Sequence, residues 1–257
     1  MPISEVIDIL IILCPLLFVA GFIDSIAGGG GIIALPAYMA TGMPMHQIYG
    51  CGKLQCTIGT LGSMARFQKN KVVDNKTAII SAIFAVIAGA IGTRIIILLP
   101  DDFLSKAMTI IIPAVSFTMI INPKDDEAVY TAPDGAKTII LSAVAGFLIG
   151  LYDSLIGPGG GTLGMMFLIK IFKYDYKTST ANIKVILFAS TFASLWGYVF
   201  SNNIIYAVAI PAAFFNMLGN YVGAGVAIKH GRKIIKPLAY AVVVVILIKY
   251  VVWPMIF

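Results

Sequence analysis

Gly21-Phe-Ile-Asp24-Ser-Ile-Ala-Gly28-Gly-Gly-Gly31 and, further on, Asp153-Ser-Leu-Ile-Gly157-Pro-Gly-Gly-Gly161 decide how this chain folds. Each stretch ends an apolar run with an aspartate, breaks at glycine and resumes as a short apolar run. Four glycines in a row leave backbone N–H groups uncovered by side chains. Within a bilayer such backbone is tolerated only where protein buries it or where it lines a wet cavity. A helix starting at the break turns its N-terminal partial positive charge towards it, an arrangement that suits an anion. Close helix packing through small residues is the competing reading.

The setting of these breaks is membranous. Of 257 residues, 59% are apolar and 12% charged, and mean hydropathy is +0.95. A soluble domain is usually about 25% charged. Apolar runs fall at 6–27, 31–43, 46–66, 77–99 and 103–122, then at 136–156, 161–173, 177–200, 204–228 and 234–256. Segments two and seven are short, about 13 residues each, so as helices they cover about 20 Å of a hydrocarbon core about 30 Å thick. A polar stretch, 123–135, separates repeats 1–122 and 136–257. The expected fold is all-α: a polytopic transmembrane helix bundle of ten segments, two of them short, in a multi-pass protein of the cell membrane. Glu5 and Asp8 occupy an N-terminus with no basic residue before the first apolar run, so that run is expected to be a retained span, not a cleaved leader.

The two halves match in order. Lys53 follows Asp24 by 29 residues, and Lys184 follows Asp153 by 31. Ser63 and Ser194 each follow their lysine by ten, and Gly92 and Gly223 by 39. Five crossings per half is odd, so the second repeat is expected to be inverted, with a site near the midplane. Thirteen of the 18 basic residues flank the loops near 66–76, 124–137, 170–177 and 229–236, all on one side if every segment crosses. The positive-inside rule makes that side cytoplasmic and puts both termini outside. Treating the short segments as re-entrant gives eight crossings and would place two of these clusters outside, so it is rejected.

Candidate substrate-binding residues are Gly28, Gly29, Gly30, Gly31, Lys53 and Ser25, with Gly157, Gly159, Gly160, Gly161, Lys184 and Ser154 in the second half. A lysine at the centre of a span costs about 2.5–3.5 kcal/mol, so one in each half implies a compensating role, either as an anion ligand or in an ion pair with Asp24 or Asp153. The aspartates could couple a proton, accept hydrogen bonds from the break, or pair with the lysines; the structural role is favoured. Asn216 and Asn220 share a helix face and are expected to bond between helices. Arg94 is expected to pair near Asp101 and Asp102. Cys14, Cys51 and Cys56 form no ligand spacing, and His46 and His230 stand alone, so neither a metal nor a cofactor is expected.

Gly21–Gly31 with Pro36, Gly50-Cys-Gly-Lys53-Leu-Gln, Gly157–Gly161 and Asn182-Ile-Lys184 together resemble the TauE/SafE sulfite exporter (TSUP) family across essentially the whole chain. The resemblance implies an anion transporter of inverted-repeat build, moving sulfite, organosulfonates or related compounds, with the motif glycines and lysines at the positions above. Family members often show a threonine shortly before the first motif lysine; Cys51-Gly52 stands there in this chain. The expected function is a secondary transporter exporting a small sulfur-containing oxyanion by alternating access, partnered by its substrate and the lipid bilayer. Nucleic acid is not expected as a partner. A passive anion channel is the nearest alternative, ahead of a scaffold. No HExxH, GxxxxGK or GxSxG occurs, and an enzyme is not expected.

Overall fold

Helices make up every regular element among the described residues. The computed structural model describes residues 2–116 and 135–230. In chain order these are α1 (Ile3–Ala27), α2 (Gly30–Met39), α3 (Met45–Lys69), α4 (Asn75–Leu98), α5 (Asp101–Ser116), α6 (Ala136–Leu155), α7 (Gly160–Phe172), α8 (Tyr176–Phe200) and α9 (Tyr206–His230). They coincide with the first nine apolar runs. The tenth run at 234–256, residues 123–134 of the polar stretch, the end of the fifth run, and Arg232, Lys233 and Lys236 lie outside the described residues.

Local signals set the boundaries. α1 stops at Gly28, whose φ of 73° is left-handed and whose N–H bonds to the Asp24 carbonyl, a helix end that glycine adopts without penalty. Asp74 caps α4 and Asp175 caps α8 through their carboxylates, satisfying N–H groups that a helix leaves open. Five helices, α1, α4, α6, α8 and α9, are long and apolar enough to cross a membrane. Along α4, Ile79, Ile83, Ile87, Ile91 and Ile95 recur every four residues and are all exposed, a stripe suited to lipid. α3 is as long as α1 but carries Lys53, Gln55, Thr57, Thr60 and Ser63 buried; other helices, not lipid, surround it.

Pairs of close approach fix the register. Gly219 and Gly223 of α9 lie against the Phe18 and Phe22 carbonyls of α1. Gly50 and Gly59 of α3 lie against Asn203 and Asn216, and the Arg66 guanidinium donates to the Tyr221 carbonyl at 2.9 Å. Helices α1, α3 and α9 therefore run in one direction. Likewise Gly146 and Gly150 of α6 meet Ser81 and Ala85 of α4, and Gly89 of α4 meets Ser190 of α8, so α4, α6 and α8 run together. α3 and α8 cross antiparallel: Tyr49 stacks on Tyr198 at 6.5 Å near the start of one and the end of the other. Small residues permit each approach. Thus α9 packs with α1 and α3, while α4 packs with α6 and α8.

This register gathers one end of the bundle from the end of α3, the starts of α4, α6 and α8, and the end of α9. Arg66, Lys69, Lys71, Lys76, Lys137, Lys170, Lys173, Lys177 and Lys229 all fall there. The Tyr174 hydroxyl donates to Asp74 at 2.6 Å across that end. At the opposite end His46 pairs with Asp101 and Lys106 with Asp102. Arg94, expected beside those aspartates, is not their partner.

Candidate substrate site

The two glycine breaks touch. Gly28 packs so closely on Gly161 and Thr162 that a Cβ at Gly28 would come within 2.6 Å of the Thr162 nitrogen. A Cβ at Gly31 would come within 3.1 Å of the Pro158 Cα. The second repeat also satisfies the carbonyls that end α1: Thr162 Oγ1 donates to Ala27 O at 2.8 Å, and the Tyr176 hydroxyl donates to Ile26 O. Left-handed glycines make the turns, Gly28 in one break and Gly157 and Gly159 in the other. Gly28 and Gly161 thus meet in close packing. Gly160 is different, with nothing nearer a Cβ than the Tyr152 ring at 3.4 Å.

The intramembrane charges pair crosswise. Lys53 of α3 reaches the Asp153 carboxylate of α6 at 3.0 Å and the Asp153 carbonyl at 2.7 Å. Lys184 of α8 reaches the Asp24 carboxylate of α1 at 2.5 Å. Each lysine thus binds the motif aspartate of the other repeat. The remaining partners differ: Ser190 donates to Asp153 at 2.9 Å, whereas Asp24 accepts from the Gly30 N–H at 3.3 Å. A buried ion pair is held where additional hydrogen bonds complete it.

A cavity opens beside these pairs. Its lining takes in Asp24, Gly28, Gly31, Lys53, Asp153, Gly157 and Gly161. Its volume is about 90 Å³, where one water needs roughly 10–15 Å³. Lys184 is fully buried behind Asp24 and does not line it; nor do Gly29, Gly30, Gly159 or Gly160. Ser25 and Ser154 are also turned away. Ser25 donates to the Asn220 carbonyl and side chain at 2.8 and 2.7 Å, and Ser154 to the Leu151 carbonyl at 3.0 Å. Asn216 bonds to the Leu17 carbonyl at 2.9 Å, so both asparagines join helices as their spacing suggested. Ser25→Ala and Ser154→Ala are therefore expected to lower the melting temperature by a few degrees while leaving anion affinity unchanged. Calorimetric titration beside a thermal melt checks both halves of that statement.

Sequence reading missed part of the lining: Tyr38 of α2, and Tyr49, Gln55, Cys56 and Thr60 of α3. Tyr49, Lys53, Cys56 and Thr60 follow one another at steps of four, three and four, one face of a helix. The helical spacing of those four residues was the available signal.

The sequence model described as "Sulfite exporter TauE/SafE" matches residues 13–250. The chain belongs to the TauE/SafE family. Among its relatives, a "Probable membrane transporter protein" of Haemophilus influenzae is 29% identical over 90% of each chain. A "Probable membrane transporter protein" of a Sinorhizobium species is 28% identical over 90% of this chain and 88% of its own. One of Escherichia coli K12 is 25% identical over 85% and 81%. No solved structure matches. This TauE/SafE protein is a multi-pass membrane transporter, in keeping with the five helices among the described residues that are long and apolar enough to cross a membrane.

Proposed function

We propose that this TauE/SafE protein is a secondary transporter that exports a small sulfur-containing oxyanion, such as sulfite or an organosulfonate, through the cavity between its repeats. The observation that carries the reading is the cavity itself, lined by the glycine breaks and motif aspartates of both halves together with Lys53. The inverted-repeat organisation is supported by the opposed directions of equivalent helices, α1 with α6, α3 with α8 and α4 with α9. Alternating access would come from one bundle rocking against the other about the touching breaks. At about −100 mV inside, exit of one negative charge is favourable by roughly 2.3 kcal/mol, so export needs no coupling ion. The basic end of the bundle is the cytoplasmic one on this reading.

Gly52 tests the cavity. It lines the space, and a Cβ there would meet nothing within 4 Å. Gly52→Leu is expected to keep or raise the melting temperature, because leucine favours helix over glycine, and to abolish anion-induced stabilisation and sulfite efflux from proteoliposomes. Undiminished efflux in Gly52→Leu would place the pathway elsewhere. Trans-stimulation of efflux by external anion separates a transporter from a channel. Topology has its own measurement: a cysteine replacing Asn202 should label from outside intact cells, and one replacing Lys71 only after permeabilisation.

A further inference from the structure

Three residues of the cavity lining each bury a polar atom that has no hydrogen-bond partner among the described residues: the hydroxyls of Tyr38 and Tyr49 and Oε1 of Gln55. The residues are 1%, 4% and 2% exposed. Buried polar atoms are almost always satisfied, so three orphans around one small space need an explanation. Meanwhile the charged groups beside them are already matched: Lys53 with Asp153, Lys184 with Asp24. Those four charges sum to zero, and both carboxylates line the cavity together with Lys53.

From this we infer that the anion is recognised by neutral groups, the hydroxyls of Tyr38 and Tyr49 and the amide of Gln55, and that the cavity selects a singly charged oxyanion over a doubly charged one. The inference rests on the transport reading above and specifies the substrate's charge. Phenolic O–H groups donate to sulfonyl-type oxygens, and hydrogen bonds to a charged acceptor are the strong ones. A second negative charge would find no uncompensated cation here and would be desolvated facing Asp24 and Asp153. Gln55 contributes through the NH2 end of its amide, which donates to an anion oxygen once the Oε1 and Nε2 ends are interchanged.

The test uses the purified full-length protein with methanesulfonate and sulfate, two tetrahedral anions of similar size carrying one and two charges. Calorimetric titration is expected to show methanesulfonate binding at least about tenfold tighter than sulfate. Tyr38→Phe and Tyr49→Phe should each weaken methanesulfonate roughly ten- to a hundredfold, the loss of one hydrogen bond to a charged group. Their ligand-free melting temperatures should hold or rise, since the ring stays packed and an orphan hydroxyl is removed. Phenylalanine variants with wild-type affinity would overturn the assignment, as would equal binding of sulfate. A fall in the ligand-free melting temperature would also overturn it, by showing that the hydroxyls serve the fold. Absence of any anion binding by the wild type would instead bring down the transport reading, and this assignment with it.

Discussion

Asp24→Ala is expected to cost about 3–5 kcal/mol of stability, more than Lys184→Ala, and adding Lys184→Met to Asp24→Ala is expected to restore most of it. Removing one member of a buried pair strands the other's charge, whereas replacing both is often close to neutral. Burial makes the two single variants unequal. The Lys184 side chain is 0% exposed and that of Asp24 is 21% exposed. Deleting the carboxylate leaves an ammonium with no solvent contact. Deleting the lysine leaves a carboxylate that touches the cavity and still accepts from Gly30. Thermal unfolding of the three variants in one detergent gives the order directly. If the double variant melts as low as Asp24→Ala, the pair is not what holds α1 to α8. Lys53→Ala should be milder than Asp24→Ala for the same reason, since Asp153 keeps its bond from Ser190.

The glycine breaks are expected to split rather than respond alike. Gly28→Ala combines a left-handed residue, about 1–2 kcal/mol for a side chain, with overpacking against Gly161, about 1–3 kcal/mol. Folded protein should be scarcely recoverable. Gly161→Ala meets the Gly28 backbone, with the Gly28 Cα 2.6 Å from the new Cβ, and should lose about 1–3 kcal/mol. Gly30→Ala would press on Asp24 and on the Ala20 carbonyl at 2.7 Å, disturbing the ion pair as well. Gly160→Ala should be nearly silent, because its Cβ meets only ordinary contacts. Size-exclusion yield and melting temperature across the four variants provide the check; a Gly160→Ala variant as damaged as Gly161→Ala would contradict the geometry. The sequence alone suggested that Gly30 and Gly160, as equivalent positions, would behave the same way.

That last difference shows where sequence reading runs out. The apolar runs, the two short helices and the ordered series of aspartate, lysine and glycine were legible because a bilayer allows few alternatives to a helix. The partner of each lysine was not legible. Asp24 or Asp153 fitted either one, and only the folded bundle, which brings Lys53 to Asp153 and Lys184 to Asp24, chooses between them. The serines shared that difficulty: Ser25 sits one residue from Asp24, yet its hydroxyl turns to Asn220, 195 residues later. Tyr38 and Tyr49 lie in apolar runs, yet each buries a hydroxyl that has no hydrogen-bond partner among the described residues. Equivalent positions in the two halves share residue types but not steric room, since room depends on neighbours that the two halves do not share.

The crosswise pairing also imposes an order on synthesis. Lys53 emerges from the ribosome 100 residues before Asp153, and Asp24 emerges 160 before Lys184. At about 5–20 residues per second, each early charge waits roughly 5–30 s for its counter-ion. An unpaired lysine released into lipid for that interval would bear the full insertion cost, about 2.5–3.5 kcal/mol. The nascent first half therefore has reason to linger in the water-filled insertion machinery until α6 and α8 arrive, so that release into the bilayer is a late event shared by both halves.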